Sequence, residues 1–381
     1  MKTPEESLEA LKTQGLLRHR LVVEGPQGPR MKVDGKEFLC FVNNDYLGLS
    51  HHSQAVAAAQ AALAQWGVGA GASALISGHS AAMEQLEHAL CHWQGMPALH
   101  FSSGYMANTG ILQALVQPED EVFSDRLNHA SLIDGVRLCR AGARHIYDHG
   151  DVVQLESQLK RSTAACRWIV TDAVFSMDGD LAPLGALIEL AKTYDAMVVV
   201  DDAHGVGVLG EEGRGSLNHL GLGSERVIYM ATLGKALGVS GAFVAAQEPW
   251  HRWLLQKTRT YMFTTGTPPA LAAALLANLK TCRTESWRRE QLVKLGQLLQ
   301  QGLKKLALPS LPTASAIHPL IVGDNQAVLR LSRALWQQGL WVPAIRPPTV
   351  PQGSARLRIS LSCLHTEADV DQLLEALRRS L

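Results

Sequence analysis

The chain carries no excess charge of either sign: Lys and Arg total 35 of its 381 residues, and Asp and Glu also total 35. A balanced surface sets up no global field of the kind that draws proteins to nucleic acid or to anionic membranes, so its partners are expected to be small or locally recognised. Cysteine is sparse. Cys40, Cys91, Cys139, Cys166, Cys282 and Cys363 are scattered, with no CxxC pair and no framework of spacings, which excludes a disulfide-stapled secreted fold and suits a reducing cytoplasm. The histidine-rich stretches, His51-His52 and His88 to His92, lack HExxH or CxxC spacing, so no metal site is assigned. No apolar run approaches bilayer length, and MKTPEESLEALKTQGLL has early acids where a signal peptide would carry an apolar core and a cleavage site. What the chain has is 46% hydrophobic residues and 33 glycines, enough for one large core and a smaller domain.

The hydrophobic rhythm divides the chain. Helical spacing of Leu8, Leu11, Leu16 and Leu17 predicts a helix from Thr3 to about Arg20, and MKVDGKEFLCFVNND predicts a hairpin turning at Asp34-Gly35. Between about residues 53 and 250, helical stretches alternate with the short apolar strands PALHFSS, DEVFSD, ARHIYD, RWIVTDAVFS, AMVVVDDAH, RVIYMAT and GAFVAA. That alternation predicts an α/β sheet, mostly parallel and covered on both faces, with its site at the carboxyl ends of the strands. Long helices over Ala270–Lys280 and Glu285–Leu306 lead to a βαββα run. The expected organisation is an N-terminal helix and hairpin over 1–45, a large α/β domain over 46–285 and a small α+β domain over 286–381.

Two strand ends carry the chemistry. Lys235 lies in ATLGKALGVSG just beyond a buried-looking strand, and AMVVVDDAHG ends another strand in Asp201, Asp202 and His204. A lone GK pair in a glycine-rich turn is ordinarily a surface lysine. Paired with an acidic strand end, it reads as half of a pyridoxal phosphate site: burial favours the neutral amine that Schiff-base chemistry needs, and the acid holds the pyridine nitrogen protonated. SSGYMANTGILQAL places small residues before a helical run, so Gly104 and Tyr105 are candidates for a phosphate cup with Thr232 as a hydroxyl donor, the plain alternative being an N-cap at Ser102 or Ser103. His129 in DRLNHASLIDG could lie on the cofactor ring or simply cap a helix. Ser176 in FSMDGD stands at the same rim as Asp201 and His204, in a segment with the composition of a tight turn. Arg346, which opens RPPTVP (Arg346 to Pro351), is the anion anchor candidate of the C-terminal region.

GVGVLG (Gly205 to Gly210) is a literal GxGxxG after a strand. A dinucleotide site needs a helix to start inside that motif, and polar, glycine-rich EEGRGS follows instead, so a nicotinamide site is rejected. GVGAGASALISG (Gly67 to Gly78) is no clean match either; it reads as backbone that closely approaches a ligand or a partner subunit.

NNDYLGLS, SGYMANTG, DRLNHASL, FSMDGD, DDAHGVGVLGEEGRG and TLGKALGVSG, in that order and over nearly the whole chain, resemble the α-oxoamine synthases. The resemblance implies an α/β fold-type I pyridoxal phosphate transferase, aspartate aminotransferase-like, with a large mostly parallel sheet domain and a small α+β C-terminal domain. It implies condensation of an amino acid with an acyl thioester and loss of carbon dioxide. IHPLIVGDN and AIRPPTVPQGSARLRISLS look most like the biotin-pathway member, which takes L-alanine and a pimeloyl thioester carried by CoA or acyl carrier protein; members that take glycine with acetyl-CoA or succinyl-CoA are the alternative. By resemblance Lys235 binds the cofactor aldehyde, Asp201 pairs with the ring nitrogen, His204 and Ser176 lie near the ring hydroxyl, His129 stacks on the ring, and Gly104, Tyr105 and Thr232 hold the phosphate. Arg346 receives the amino-acid carboxylate, and Arg18, Asn44, His129 and Thr349 contact substrate. The family often has Phe where this chain has Tyr105, a change that a backbone phosphate contact survives. The resemblance further implies a cytoplasmic homodimer with shared sites, in which Thr264 or Thr265 reaches the neighbouring subunit's phosphate.

Overall fold

The computed structural model describes residues 3–223, 225–311 and 313–380. Its contacts divide the chain into two compact units: residues 49–176 with 181–289, and residues 1–48 with 177–180 and 290–381.

The first of these units is built on a seven-stranded sheet, ordered Ala98–Phe101, Ala242–Ala245, Val227–Thr232, Ala196–Asp201, Arg167–Asp172, Glu121–Asp125 and Ala143–Tyr147. These are the seven apolar runs expected from the sequence. Ala242–Ala245 runs antiparallel to both its neighbours, and the other pairings are parallel. Burial on both faces explains why Ala196–Asp201 reads as a continuous apolar run with no alternation. One face is packed by Ile111 and Leu112 of the helix Gly104–Leu115, Leu132 and Val136 of the helix Ala130–Leu138, and Leu254 of the helix Glu248–Lys257, against Val170, Val199 and Ile228.

The GVGVLGEEGRG stretch forms a compact turn rather than a nucleotide loop. Only a three-residue 3-10 turn, Glu211–Gly213, and a four-residue helix, Ser216–His219, follow the motif. Buried Asp202 organises it, accepting from Ser216 N, Ser216 Oγ and Tyr229 Oη at 2.6, 2.6 and 2.7 Å. A Cβ at Gly205 or Gly215 would lie 2.1 or 2.2 Å from the Asp202 oxygens, so these glycines make room for a carboxylate of the protein itself.

The other unit holds two small sheets. Arg30–Val33 and Lys36–Cys40 form the expected hairpin, with Asp34 and Gly35 at φ 49° and 74°, and Leu340–Trp341 joins its edge in parallel with Leu39 and Cys40. Ile317–Gly323, Ala355–Ser360 and Ala344–Ile345 form an antiparallel three-stranded sheet. The N-terminal helix is shorter than its leucine spacing predicts. It spans Pro4–Thr13 behind a Thr3–Glu6 capping box, and the chain turns at Gly15, whose φ is 66°.

Candidate active site

The expected cofactor residues gather at the carboxyl rim of the large sheet. Asp172 and Asp201 end adjacent parallel strands in direct register. Asn108, from the helix Gly104–Leu115, donates to Asp201 Oδ2 at 2.6 Å, and Ala203 N donates to Oδ1 at 2.9 Å, so both carboxylate oxygens are fixed by N–H donors. Burial, then the charge of Asp201, pushes the Asp172 carboxyl well above the usual carboxylate range. Its Oδ2 accepts the His129 backbone N–H at 2.5 Å.

His129 is the N-cap of the helix Ala130–Leu138, which is the capping role the sequence allows it. Asn128 locks the turn before it: its amide donates to Val170 O at 2.8 Å and accepts from Asp172 N at 2.9 Å. The imidazole is open to solvent on one side with protein around the rest. That surrounding protein holds its pKa below the ordinary imidazole range; Asp201 draws it up and Lys235 pushes it down, so the three groups lie within one electrostatic neighbourhood.

Lys235 is half-buried in the turn after Val227–Thr232. The turn is anchored from beneath. Gly238 N closes on Lys235 O at 2.8 Å, a Cβ at Gly238 (φ 69°) would lie 2.4 Å from Ser50 N, and buried Asn278 donates to both Leu237 O and Leu49 O. His204 is buried in the turn that follows Asp201, and Ser176 is half-buried beyond Arg167–Asp172.

Ser103, the second of the two cap candidates, caps the helix Gly104–Leu115 by accepting from Met106 N. Gly104 sits against Thr232, where a Cβ would lie 2.5 Å from the threonine Cγ2, so helix start and strand end form one cradle. The first amides of a helix have no acceptor within it, which suits such a cradle to an anion. Tyr105 is exposed and its hydroxyl donates to Asp134, leaving its backbone for the cradle. Thr264 and Thr265 line a cavity with Ala74, Ser102, Thr260 and Thr267, and Thr265 bridges to Ser73.

Of the expected substrate residues, His129 belongs to the unit of the large sheet, and Arg18, Asn44, Arg346 and Thr349 belong to the other unit. Arg18, Arg346 and Thr349 line one pocket with Leu16 and Ile345; Arg18 donates to Thr349 Oγ1 at 3.2 Å, and Arg346 donates to Gly15 O. Burial, then the neighbouring Arg18 charge, lowers the Arg346 pKa. Two guanidiniums crowd a pocket to which no acid contributes, an arrangement that suits a carboxylate. The Asn44 carbonyl is already engaged by Tyr46 Oη and Arg358. Asp178 of FSMDGD pairs with buried Arg356. Sequence reasoning missed Asn108, Asn128, Ser131 and Asn278. Each lies inside a stretch that was read for a neighbouring residue or for its helix, and nothing local separates an inward asparagine from a turn residue.

A model of the aminotransferase class I and II family matches residues 36–377. The 8-amino-7-oxononanoate synthase of Herminiimonas arsenicoxydans is 53% identical over 99% of this chain and 98% of its own. That of Azoarcus sp. is 54% identical over 98% and 95%. The chain belongs to the 8-amino-7-oxononanoate synthases. Among solved structures, a serine palmitoyltransferase from S. paucimobilis with bound PLP-myriocin aldimine superposes with a TM-score of 0.93 at 30% identity, covering 98% of this chain and 95% of that one. The 8-amino-7-oxononanoate synthase of Francisella tularensis gives 0.79 at 29% identity, with 90% and 97% covered. The family assignment agrees with the fold class expected from the sequence motifs.

Proposed function

We propose that the chain condenses L-alanine with a pimeloyl thioester and releases carbon dioxide, giving 8-amino-7-oxononanoate for biotin biosynthesis, with Lys235, Asp201 and His129 as its working groups. Its cofactor is pyridoxal 5'-phosphate, which when bound supplies an electron sink for a bond at the substrate's α-carbon. The residues fit such a group: a glycine helix start pressed against Thr232, a carboxylate fixed at both oxygens, and a half-buried lysine in an anchored turn. The observation that carries the reading is the placing of His129, Asp201 and Lys235 just beyond, or at, the carboxyl ends of parallel strands at one sheet rim, where the charges of Asp201 and Lys235 both act on the His129 imidazole.

Lys235 is the amine that would hold the cofactor aldehyde, and its Nζ is the base that would accept the α-proton of bound alanine. Asp201 would hold the proton of the ring nitrogen, and His129 would stack on the ring with an N–H for substrate or for reprotonation. Ser176 and His204 would lie near the ring hydroxyl. The Gly104 and Tyr105 backbones and the Thr232 hydroxyl hold the phosphate, and Arg346 receives the alanine carboxylate, with Arg18, Asn44 and Thr349 on the substrate side. The chain works as a homodimer in which Thr264 or Thr265 completes the neighbouring site: Val68, Ile76 and Phe263, in the segments around these threonines, are 84%, 80% and 68% exposed, large apolar groups that a second copy would cover. Six unbridged cysteines suit a cytoplasmic enzyme, and among the described residues no helix is long and apolar enough to cross a membrane.

The test is product analysis by mass spectrometry with L-alanine and pimeloyl-CoA or pimeloyl acyl carrier protein, beside glycine with acetyl-CoA or succinyl-CoA. Alanine-dependent 8-amino-7-oxononanoate is expected, and turnover with glycine alone would overturn the substrate assignment. Lys235→Ala abolishes turnover and the visible absorbance of the lysine-bound cofactor; retained alanine-dependent synthesis would remove Lys235 from its role.

A further inference from the structure

The structure assigns to Asn108 and Ser131 a positioning role: they set the direction of a hydrogen-bond chain from Asp201 to His129 and hold His129 with its ring proton on Nε2. The functional meaning rests on Asp201 and His129 serving the cofactor as proposed above, but the tautomer itself is a property of the protein alone.

The direction follows from what each atom can do. A carboxylate only accepts, so the Asn108 group 2.6 Å from Asp201 Oδ2 is the amide nitrogen; turning the side chain over would set oxygen against oxygen. The same nitrogen lies 2.9 Å from Ser131 Oγ. Since it only donates, Ser131 Oγ accepts there, and the serine's own proton is left for His129 Nδ1, 2.7 Å away. The Ser131 backbone N–H, which has no other role than donor, also points at Nδ1 from 3.2 Å. A ring nitrogen that receives two donors carries no proton. Nε2 is therefore the N–H of the neutral imidazole, facing away from the chain of bonds.

Two further facts separate this arrangement from incidental packing. Asn108 and Ser131 are 0% and 1% exposed, and Gly135 brings their helices together, since a Cβ there would lie 2.7 Å from Leu112 Cδ1. Asn108 Oδ1, meanwhile, is buried with no partner among the described residues. An apolar side chain would fill that space without stranding an acceptor. The fold tolerates the stranded oxygen while both amide hydrogens serve Asp201 and Ser131, and orphaned buried polar atoms call for such a reason. Asp201 cannot turn without losing its bond to Asn108, nor His129 without losing its bonds to Ser131, and the Asn108–Ser131 bond joins the two.

The first test uses the full-length protein before cofactor is added, labelled with 15N-histidine, with His129→Gln to identify the resonance. The Nε2–H tautomer is expected near neutral pH; an Nδ1–H resonance would overturn the assignment. In the second test, cofactor is titrated into Asn108→Ala and Asn108→Asp and followed by visible absorbance, with circular dichroism reporting the fold. Losing a hydrogen bond to a charged group predicts roughly ten- to a hundredfold weaker binding for Asn108→Ala. In Asn108→Asp the new carboxyl faces Asp201, with Asp172, His129 and Lys235 in the same cluster. Protonated, it can donate its single hydrogen to Asp201; ionised, it repels. Its affinity relative to the native protein should therefore fall as pH rises, a dependence that a packing role does not create. Native affinity in Asn108→Ala, or a pH-independent ratio in Asn108→Asp, would overturn the positioning role. Failure of the native protein to bind the cofactor would overturn the functional reading instead, and the tautomer measurement would still decide the assignment of His129.

Discussion

Asp201 and Asp202 are neighbours in sequence, and substituting Asp202 is expected to damage the fold where Asp201 serves the chemistry. Asp202 is fully buried and accepts from Ser216 N, Ser216 Oγ and Tyr229 Oη. Asp202→Ala leaves the Ser216 N–H and hydroxyl without their acceptor and the Tyr229 hydroxyl with only Arg214 O at 3.3 Å, a cost of about 3 to 5 kcal/mol. Asp202→Asn is milder. Its carbonyl can take the place of Oδ2 and its amide can donate to Ser216 Oγ, because a hydroxyl accepts as readily as it donates. What asparagine removes is a titration. Burial outweighs the three donors and lifts the Asp202 carboxyl from 3.8 to about 6. The folded state then holds the proton more tightly than the unfolded chain, so this contribution to stability is fully present below about pH 4 and lost as pH rises through about 6. Two pKa units correspond to about 3 kcal/mol. Urea midpoints across that range should show native stability falling relative to Asp202→Asn by about this amount as pH rises. A constant difference between the two proteins, or an Asp202→Ala midpoint equal to the native one, would refute the reasoning.

Gly104→Ala should weaken cofactor binding by about 1 to 3 kcal/mol through the collision with Thr232 Cγ2, and Gly104→Ala/Thr232→Ser, which lacks that methyl, should recover it; equal affinities for the single and double variants would exclude the clash. Asp201→Asn should slow exchange of alanine's α-proton, read by NMR in deuterated buffer, while circular dichroism stays native. His318 is buried with both ring nitrogens unpartnered among the described residues, and burial pushes its pKa down to about 4. A base with a depressed pKa loses stability as pH falls from about 6.5 through about 4, so His318→Leu should gain about 3 kcal/mol relative to the native protein at the acid end, measured by urea midpoints.

The legible parts of the fold are those with local causes. The central strands of the large sheet, such as Ala196–Asp201, are short apolar runs buried on both faces, and the hairpin turns on a dipeptide that tolerates positive φ. The N-terminal helix misled because leucine spacing continues past Gly15, where the backbone turns away from helical angles. Asp202 was visible as an acid at a strand end, but its duty was not. Asparagines were the weakest point. Asn108, Asn128 and Asn278 orient the site through partners 20 to more than 200 residues away, such as Ser131, Val170 and Leu49, and no pattern of neighbours announces such a bond.

The sequence by itself determined the elements and the chemical groups: which segments form buried strands, where helices begin, and that an amine, an acid and an imidazole stand at strand ends. These follow from side-chain periodicity and functional-group chemistry, which are local. Only the tertiary structure decided that Asp172 stands in register beside Asp201, that one asparagine spans Asp201 and Ser131, and that Leu340–Trp341 closes a sheet begun at Val23–Glu24. Hydrogen-bond direction and the crowding of like charges depend on distances of a few ångströms between residues far apart in the chain, and those distances exist only once the core has packed.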